Sequence, residues 1–306
     1  MRNAGPNRVS SDLPPSIATH LDAAGAAAGF AVAAPQAAQA GVLDWLPRWR
    51  NDTLANTDEP TARLAAADDA SGASVDDVAF AWDVAACVRD ALRLRVAPRI
   101  SVLGWSQGAK LASLVACTPR RGFAAAAVVI GAGLHDGLAD PGERCAGPVP
   151  LLMLQGGLDA IVPFCDDGAF YQAGWRALRG WAASVNGCGA GPWRPLCAGN
   201  GSSFIGDDLL RVYVPARGCR APTALYFLPQ LGHAVPTGTL PGLVGTFADL
   251  VVAFFRSAQR GAPDATPLPA RGGARVAPCP GGIAARLLQP CAGDRVPWPF
   301  TALMTA

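Results

Sequence analysis

The stretch Gly104-Trp105-Ser106-Gln107-Gly108 decides the fold predicted for this chain. An apolar, strand-like run (100–103) precedes it, and residues 109–115 after it have apolar side chains at helical spacing. A strand, a G-x-S-x-G turn and a helix in this order are typical of a nucleophile elbow, in which a serine is held near a base and an oxyanion donor. We expect a Cβ at Gly104 or Gly108 to collide with the neighbouring strand or helix. The alternative interpretation is a plain strand-to-helix turn.

The composition predicts a folded protein with a large core. Of the 306 residues, 51% are hydrophobic and 16% are charged, which is too apolar for a disordered chain. The length allows one α/β domain or two smaller ones. A net charge of +2 implies neither nucleic acid nor an anionic membrane as a partner. No apolar run reaches the roughly 18 residues of a membrane span, and residues 1–6 lack the apolar segment of a signal peptide.

The nine cysteines favour an oxidising, extracellular environment. There is no C-x-x-C and no cluster of cysteines with histidines, so no metal site is predicted. Nine buried thiols are one interpretation. Disulfides are favoured because seven of the cysteines lie in loop-like surroundings rich in glycine, proline and polar residues. The odd count leaves at least one thiol unpaired, and Cys87 on its predicted helix is the candidate.

Apolar runs and helical spacing alternate along the chain. Strands are predicted at 30–34, 100–103, 124–130, 149–154, 210–214 and 223–228, and helices at 17–28, 74–92, 109–115, 170–181 and 244–255. This alternation implies an α/β fold with a mostly parallel sheet and helices on both faces. We expect an irregular N-terminus (1–15), one α/β domain (16–258) and a C-terminal extension rich in proline, glycine and arginine (259–306). Residues 36–73 are predicted to be a long loop, and residues 186–208 an insertion rich in cysteine, glycine and proline.

A base and an acid for Ser106 follow from the order of the predicted strands. His233 lies just beyond the strand-like run 224–228, and Asp159 lies directly after the strand 149–154. The chain order serine, acid, histidine is that of α/β-hydrolases, and such a carboxylate orients the imidazole that accepts the serine proton. Asp166 and Asp167 are rivals for the acid but lie further from the strand end. The other two histidines, His20 and His135, are expected to be structural or solvated.

With these positions in place, the chain resembles the secreted esterases that include polyhydroxybutyrate depolymerases and feruloyl esterases. The resemblance extends from about residue 21 to residue 255. The matching segments are 29–35, 75–80, 104–108, 156–163, 232–236 and 253–255. The resemblance implies an α/β-hydrolase fold and hydrolysis of a carboxylic ester, on a plant polysaccharide or in a hydroxyalkanoate polyester. It also implies a Cys188–Cys219 disulfide and, less directly, Cys117–Cys145.

One part of the family pattern has no counterpart in this sequence. Relatives have, ahead of the helix at 17–28, a strand that ends in a loop with one oxyanion donor, while the residue after the nucleophile, here Gln107, donates the other. We therefore expect an N-terminally truncated α/β-hydrolase. Losing one oxyanion donor costs roughly 100- to 1000-fold in rate.

The predicted activity is a serine esterase with no cofactor and no metal, and with an oligomeric state that the sequence leaves open. Trp105 either forms a wall of an apolar acyl pocket or packs beneath the elbow. The alternative function is a degenerate relative that binds carbohydrate or polyester through the loop tryptophans Trp45, Trp49 and Trp193. A peptidase on the same fold is a third possibility.

Overall fold

The computed structural model describes twelve segments of the chain: residues 15–34, 77–93, 100–118, 125–130, 145–165, 174–189, 193–198, 210–215, 218–236, 238–240, 245–260 and 276–278. The helices are α1 (Pro15–Ala27), α2 (Asp77–Ala91), α3 (Gln107–Cys117), α4 (Gly174–Ser184) and α5 (Phe247–Gln259). The strands are β1 (Ile100–Trp105), β2 (Ala125–Ile130), β3 (Leu151–Gly156), β4 (Trp193–Ala198), β5 (Arg211–Pro215), β6 (Thr223–Leu228) and β7 (Val276–Pro278). Among these described helices, none is long and apolar enough to cross a membrane.

The seven strands form one mixed sheet in the order β1-β2-β3-β6-β5-β4-β7. The pairings from β1 through β2 and β3 to β6 are parallel. Those of β5 with β6, β4 with β5 and β7 with β4 are antiparallel. The α/β class predicted from the sequence is therefore confirmed, but the mostly parallel sheet is wrong for this second half, whose three pairings are antiparallel.

Strand β3 lies in the interior of the sheet, between β2 and β6, and all six of its residues are buried. Its side chains alternate between two apolar clusters, with Leu152 and Leu154 in one and Leu151 and Met153 in the other. The first cluster includes side chains of α1 and α5, and the second includes side chains of α2, α3 and α4. Helices thus cover both faces of the sheet, as predicted, which explains why β3 is a continuous apolar run.

Helix α5 closes the first cluster and begins at a complete capping box. The Thr246 hydroxyl accepts the Asp249 N–H at 3.2 Å, and the Asp249 carboxylate accepts the Thr246 N–H at 2.8 Å. These two bonds satisfy N–H groups that have no partner within the helix. The predicted start near residue 244 was three residues early, because Gly245 has a φ of +118° and cannot continue a helix.

The strand predicted at residues 30–34 is wrong. These residues follow α1 without regular structure, and all except Phe30 are exposed. In the described part of the chain, β1 pairs with β2 alone, so a strand at 30–34 would have no ladder to join. Backbone N–H and C=O groups without such a partner are better satisfied by water.

Two strands form where the sequence predicted none. Strand β4 lies within the predicted insertion (186–208), and β7 lies within the predicted C-terminal extension. The two strands pair at the edge of the sheet, through Leu196 with Pro278 and Ala198 with Val276. The predicted start of the helix at 74–92 and the long loop at 36–73 lie outside the described residues.

The disulfides implied by the family resemblance are both present. Cys117 is bonded to Cys145, and Cys188 is bonded to Cys219. Within the described residues, Cys87 is a free, exposed thiol, as expected from the odd count.

Asn186 joins β3 and β6 at their amino-terminal ends. Its side-chain oxygen accepts the Val149 N–H at 2.8 Å, and its side-chain nitrogen donates to the Val149 carbonyl and to the Thr223 hydroxyl, both at 2.8 Å. Asn186 is fully buried. Its side chain makes, with Val149, the two main-chain hydrogen bonds that a neighbouring strand would otherwise make just before β3 begins. The side chain thereby fixes the register of the strands whose other ends lead to Asp159 and His233.

We predict that Asn186→Ala lowers the free energy of unfolding by about 2 kcal/mol or more, because it leaves the Val149 N–H buried without an acceptor and leaves the Val149 carbonyl only the Trp181 indole N–H, at 3.4 Å. Ser184→Ala, two residues away at an exposed position, is the control and is expected to stay within about 0.5 kcal/mol of the wild type. Urea unfolding of both variants measures the difference. Equal stability of the two would show that the strand ends do not depend on Asn186.

Candidate active site at the carboxyl edge of the sheet

Ser106 lies between the end of β1 and the start of α3. Its backbone conformation is one that residues other than glycine rarely adopt. Its φ is +54° and its ψ is −123°. A residue other than glycine held in such a region costs on the order of 1–3 kcal/mol, so the surrounding strand and helix must impose it. The turn therefore has the strained backbone of a nucleophile elbow rather than that of an ordinary loop.

The two glycines of the pentapeptide differ in their surroundings. A Cβ at Gly104 would lie 2.0 Å from the Gly108 carbonyl oxygen and 2.6 Å from the Cα of Ala109. A Cβ at Gly108 would meet no atom within 4 Å. The expected collision is thus confirmed for Gly104 and wrong for Gly108, because the close approach is made by the backbone at residue 108 and not by its Cβ position.

The Asp159 carboxylate is almost completely buried and accepts four hydrogen bonds. One oxygen, Oδ1, accepts the main-chain N–H groups of Ile161 at 3.0 Å and Val162 at 2.8 Å. The other, Oδ2, accepts the Gln155 side-chain amide at 3.2 Å and lies 2.9 Å from Nδ1 of His233. The tight turn after β3 therefore holds the carboxylate in place independently of its contact with the imidazole.

The segment with His233 follows β6 and packs directly on the segment with Asp159. The Gly157 N–H donates to the Leu228 carbonyl at 2.8 Å, and the Leu158 N–H donates to the Leu231 carbonyl at 2.9 Å. A Cβ at Gly156 would lie 2.1 Å from that same Leu231 carbonyl oxygen. Glycine at this position is therefore what allows the two segments to approach so closely.

His233 connects the acid to the serine. Its Nδ1 lies 2.9 Å from Asp159 Oδ2, and its Nε2 lies 2.9 Å from Ser106 Oγ. The His233 side chain is 12% exposed, while that of Asp159 is fully buried. With Nδ1 protonated and donating to the carboxylate, Nε2 is left to accept the serine hydroxyl proton. All three residues follow parallel strands, and this explains why they meet at one edge of the sheet.

Trp105 lies beside the imidazole. The indole and the His233 ring are 5.3 Å apart between centroids, at an interplanar angle of 36°. The side chain packs against the apolar cluster below α1 and α5, and its buried Nε1–H has no hydrogen-bond partner within the described part of the chain. These contacts agree with packing beneath the elbow, and a role as a pocket wall stays a prediction.

Gln107, the predicted oxyanion donor, is the first residue of α3. A helix provides no acceptor for the N–H groups of its first turn, so the main-chain N–H of Gln107 is available to an anion beside Ser106. The prediction that it binds an oxyanion is compatible with this placement.

Two of the other predicted residues lie in described elements. His20 is in α1. Trp193, a tryptophan of the binding alternative, is buried in β4 against Trp175, 5.2 Å away between ring centroids. It is therefore unavailable to a ligand. The remaining candidates lie outside the described residues: His135, Asp166, Asp167, Trp45 and Trp49.

Gln155 is a site residue that the sequence analysis missed. It is fully buried in β3, and its amide nitrogen donates to Asp159 Oδ2 and, at 2.9 Å, to the Val162 carbonyl. It therefore holds the first and last residues of the turn around the carboxylate. The sequence contained one sign of this role, since Gln155 is a polar residue near the end of an otherwise apolar strand.

The three side chains form a single hydrogen-bonded arrangement. An alcohol, an imidazole and a carboxylate in one hydrogen-bonded line are the parts needed to attack a carbonyl carbon. In the segments that the structure describes, no cluster of three or more histidine, cysteine or acidic side chains is suited to hold a metal ion. No protein-family model matches the chain, and no curated protein is similar to it at a significant level.

We predict that Gly104→Ala destabilises the fold by about 3 kcal/mol or more, because the new methyl group would overlap the backbone of α3. The control is Gly108→Ala, whose methyl group enters open space and should change the free energy of unfolding by less than about 1 kcal/mol. Thermal unfolding of the two variants makes the comparison. A Gly104→Ala variant as stable as Gly108→Ala would contradict the described packing of α3 on β1.

We predict that Gln155→Leu lowers the free energy of unfolding by about 2–3 kcal/mol, because the Val162 carbonyl loses its donor in a buried turn. Met153→Leu is the control on the same strand, since it exchanges one buried apolar side chain for another of similar volume at a cost below about 1.5 kcal/mol. Urea unfolding measures both. If Gln155→Leu is no less stable than Met153→Leu, the turn around Asp159 does not need the amide.

Proposed function

We propose that this protein is a serine carboxylic-ester hydrolase with an α/β-hydrolase fold. The observation that supports this most directly is the position of His233, which is 2.9 Å from both Asp159 and Ser106. The strained turn at Ser106 is a second, independent argument, because a φ of +54° is not expected where a serine has only a structural role.

The first half of the proposed reaction forms an acyl-enzyme. Ser106 Oγ attacks the ester carbonyl carbon while His233 Nε2 accepts the hydroxyl proton. Asp159 stabilises the resulting imidazolium without taking its proton. The tetrahedral intermediate then collapses, the bond from carbon to the alcohol oxygen breaks, and the imidazolium protonates the departing alcohol.

The second half returns the enzyme to its starting state. Water attacks the acyl carbonyl while His233 Nε2 accepts a proton from it. The bond to Ser106 Oγ then breaks, and the imidazolium protonates the serine oxygen as the carboxylic acid leaves. In both halves the Gln107 main-chain N–H donates to the oxyanion, and such a donor contributes about 100- to 1000-fold to the rate.

The proposed substrates follow from the resemblance to secreted polyhydroxybutyrate depolymerases and feruloyl esterases. They are feruloyl or acetyl esters on plant polysaccharides, or hydroxyalkanoate polyesters. An extracellular location is part of the proposal and is supported by the two disulfides.

We predict that a fluorophosphonate probe labels Ser106 and that Ser106→Ala loses both the label and p-nitrophenyl acetate hydrolysis, with kcat falling on the order of 10⁶-fold. The matched control is Ser101→Ala on the same strand. The Ser101 hydroxyl is buried and has no hydrogen-bond partner in the described part of the chain, so its removal should leave labelling and hydrolysis unchanged. Mass spectrometry of the labelled peptide and a spectrophotometric assay give the two measurements.

Failure of the folded wild-type protein to be labelled or to hydrolyse the ester would overturn the proposal and favour the degenerate binding protein. Cleavage of a p-nitroanilide matched to the ester, at a comparable rate, would instead favour the peptidase.

A further inference from the structure

Two exposed apolar side chains flank the buried acid. In the described residues, large apolar side chains are strongly exposed at five positions: Val32, Phe80, Leu92, Leu158 and Ile161. The last two lie on either side of Asp159, with exposed fractions of 47% and 55%. They thus form an apolar pair at the same edge of the sheet as the catalytic group.

The exposure of this pair is imposed by an ordered turn. The Leu158 N–H donates to the Leu231 carbonyl at 2.9 Å, and the Ile161 N–H donates to the Asp159 carboxylate at 3.0 Å. The following apolar side chains, Val162 and Phe164, are buried in the core. Since the turn is fixed on both sides, the two exposed side chains are held toward solvent at a constant place.

That place is next to the histidine segment. The Leu158 carbonyl lies 3.8 Å from the Cβ position of Gly232, which directly precedes His233. A reacting ester must bring its carbonyl carbon to Ser106 Oγ and its leaving oxygen to His233 Nε2, so its substituents extend over the surface around the imidazole. An apolar substituent there would cover side chains that otherwise face water.

We propose that Leu158 and Ile161 form an apolar subsite for the hydrocarbon substituent of the ester, and that the enzyme acts on aryl or longer alkyl esters in preference to small acetyl esters. This inference rests on the proposed esterase function. It narrows the proposed substrates to esters with larger apolar substituents, because the triad alone does not distinguish between substituents.

The test is the double substitution Leu158→Ser with Ile161→Ser, assayed on two series of esters. One series varies the acyl group, from p-nitrophenyl acetate to butyrate and octanoate. The other varies the alcohol, from ethyl acetate to hexyl and benzyl acetate. We expect the ratio of kcat/KM for the larger substrate to that for the smallest to fall about tenfold in at least one series. The series that changes identifies the side of the ester that the pair contacts.

Leu92→Ser is the control, because it removes an exposed leucine at the end of α2 and should leave both ratios unchanged. If the double substitution leaves both kcat/KM ratios at their wild-type values, the subsite proposal is overturned and the esterase function still stands. Absence of hydrolysis of every ester by the wild type would instead overturn the proposed function itself.

Discussion

The structure depends on the close contact between two segments that follow neighbouring parallel strands. Gly156, the last residue of β3, and Gly157 directly after it have no side chains, and the chain after β6 occupies the space that this leaves. Main-chain hydrogen bonds from Gly157 and Leu158 then hold the two segments together. Because this contact is made by the backbone, it fixes the distance between the two main-chain segments that contain Asp159 and His233.

A second constraint positions the nucleophile. The β1–α3 turn brings two backbones so close at Gly104 that a methyl group would not fit, and Ser106 has its unusual backbone conformation in the same turn. The cost of that conformation is met by the packing of α3 against the sheet. The serine and the acid–base pair are thus fixed by separate contacts, which meet only through the imidazole.

The amino-acid sequence predicted which three side chains lie together better than it predicted the sheet. Ser106, Asp159 and His233 could be found because each follows a short apolar run, and parallel strands bring such positions to one edge. Strand pairing is harder to predict, since it depends on partners distant in the chain. Residues 30–34 have strand-like composition and no ladder to join, while β4 was hidden in a segment rich in glycine and proline. Buried polar residues such as Gln155 and Asn186 share this difficulty, because their partners become known only from the fold.

The central claim is that three side chains act as one proton-transfer unit, and the most direct test is a double-mutant comparison of Ser106→Ala and His233→Ala in ester hydrolysis. If the residues act as a unit, each single substitution lowers kcat by a similar factor and the double substitution lowers it no further. Factors that multiply in the double variant would show that the serine and the histidine contribute independently, and would contradict this account.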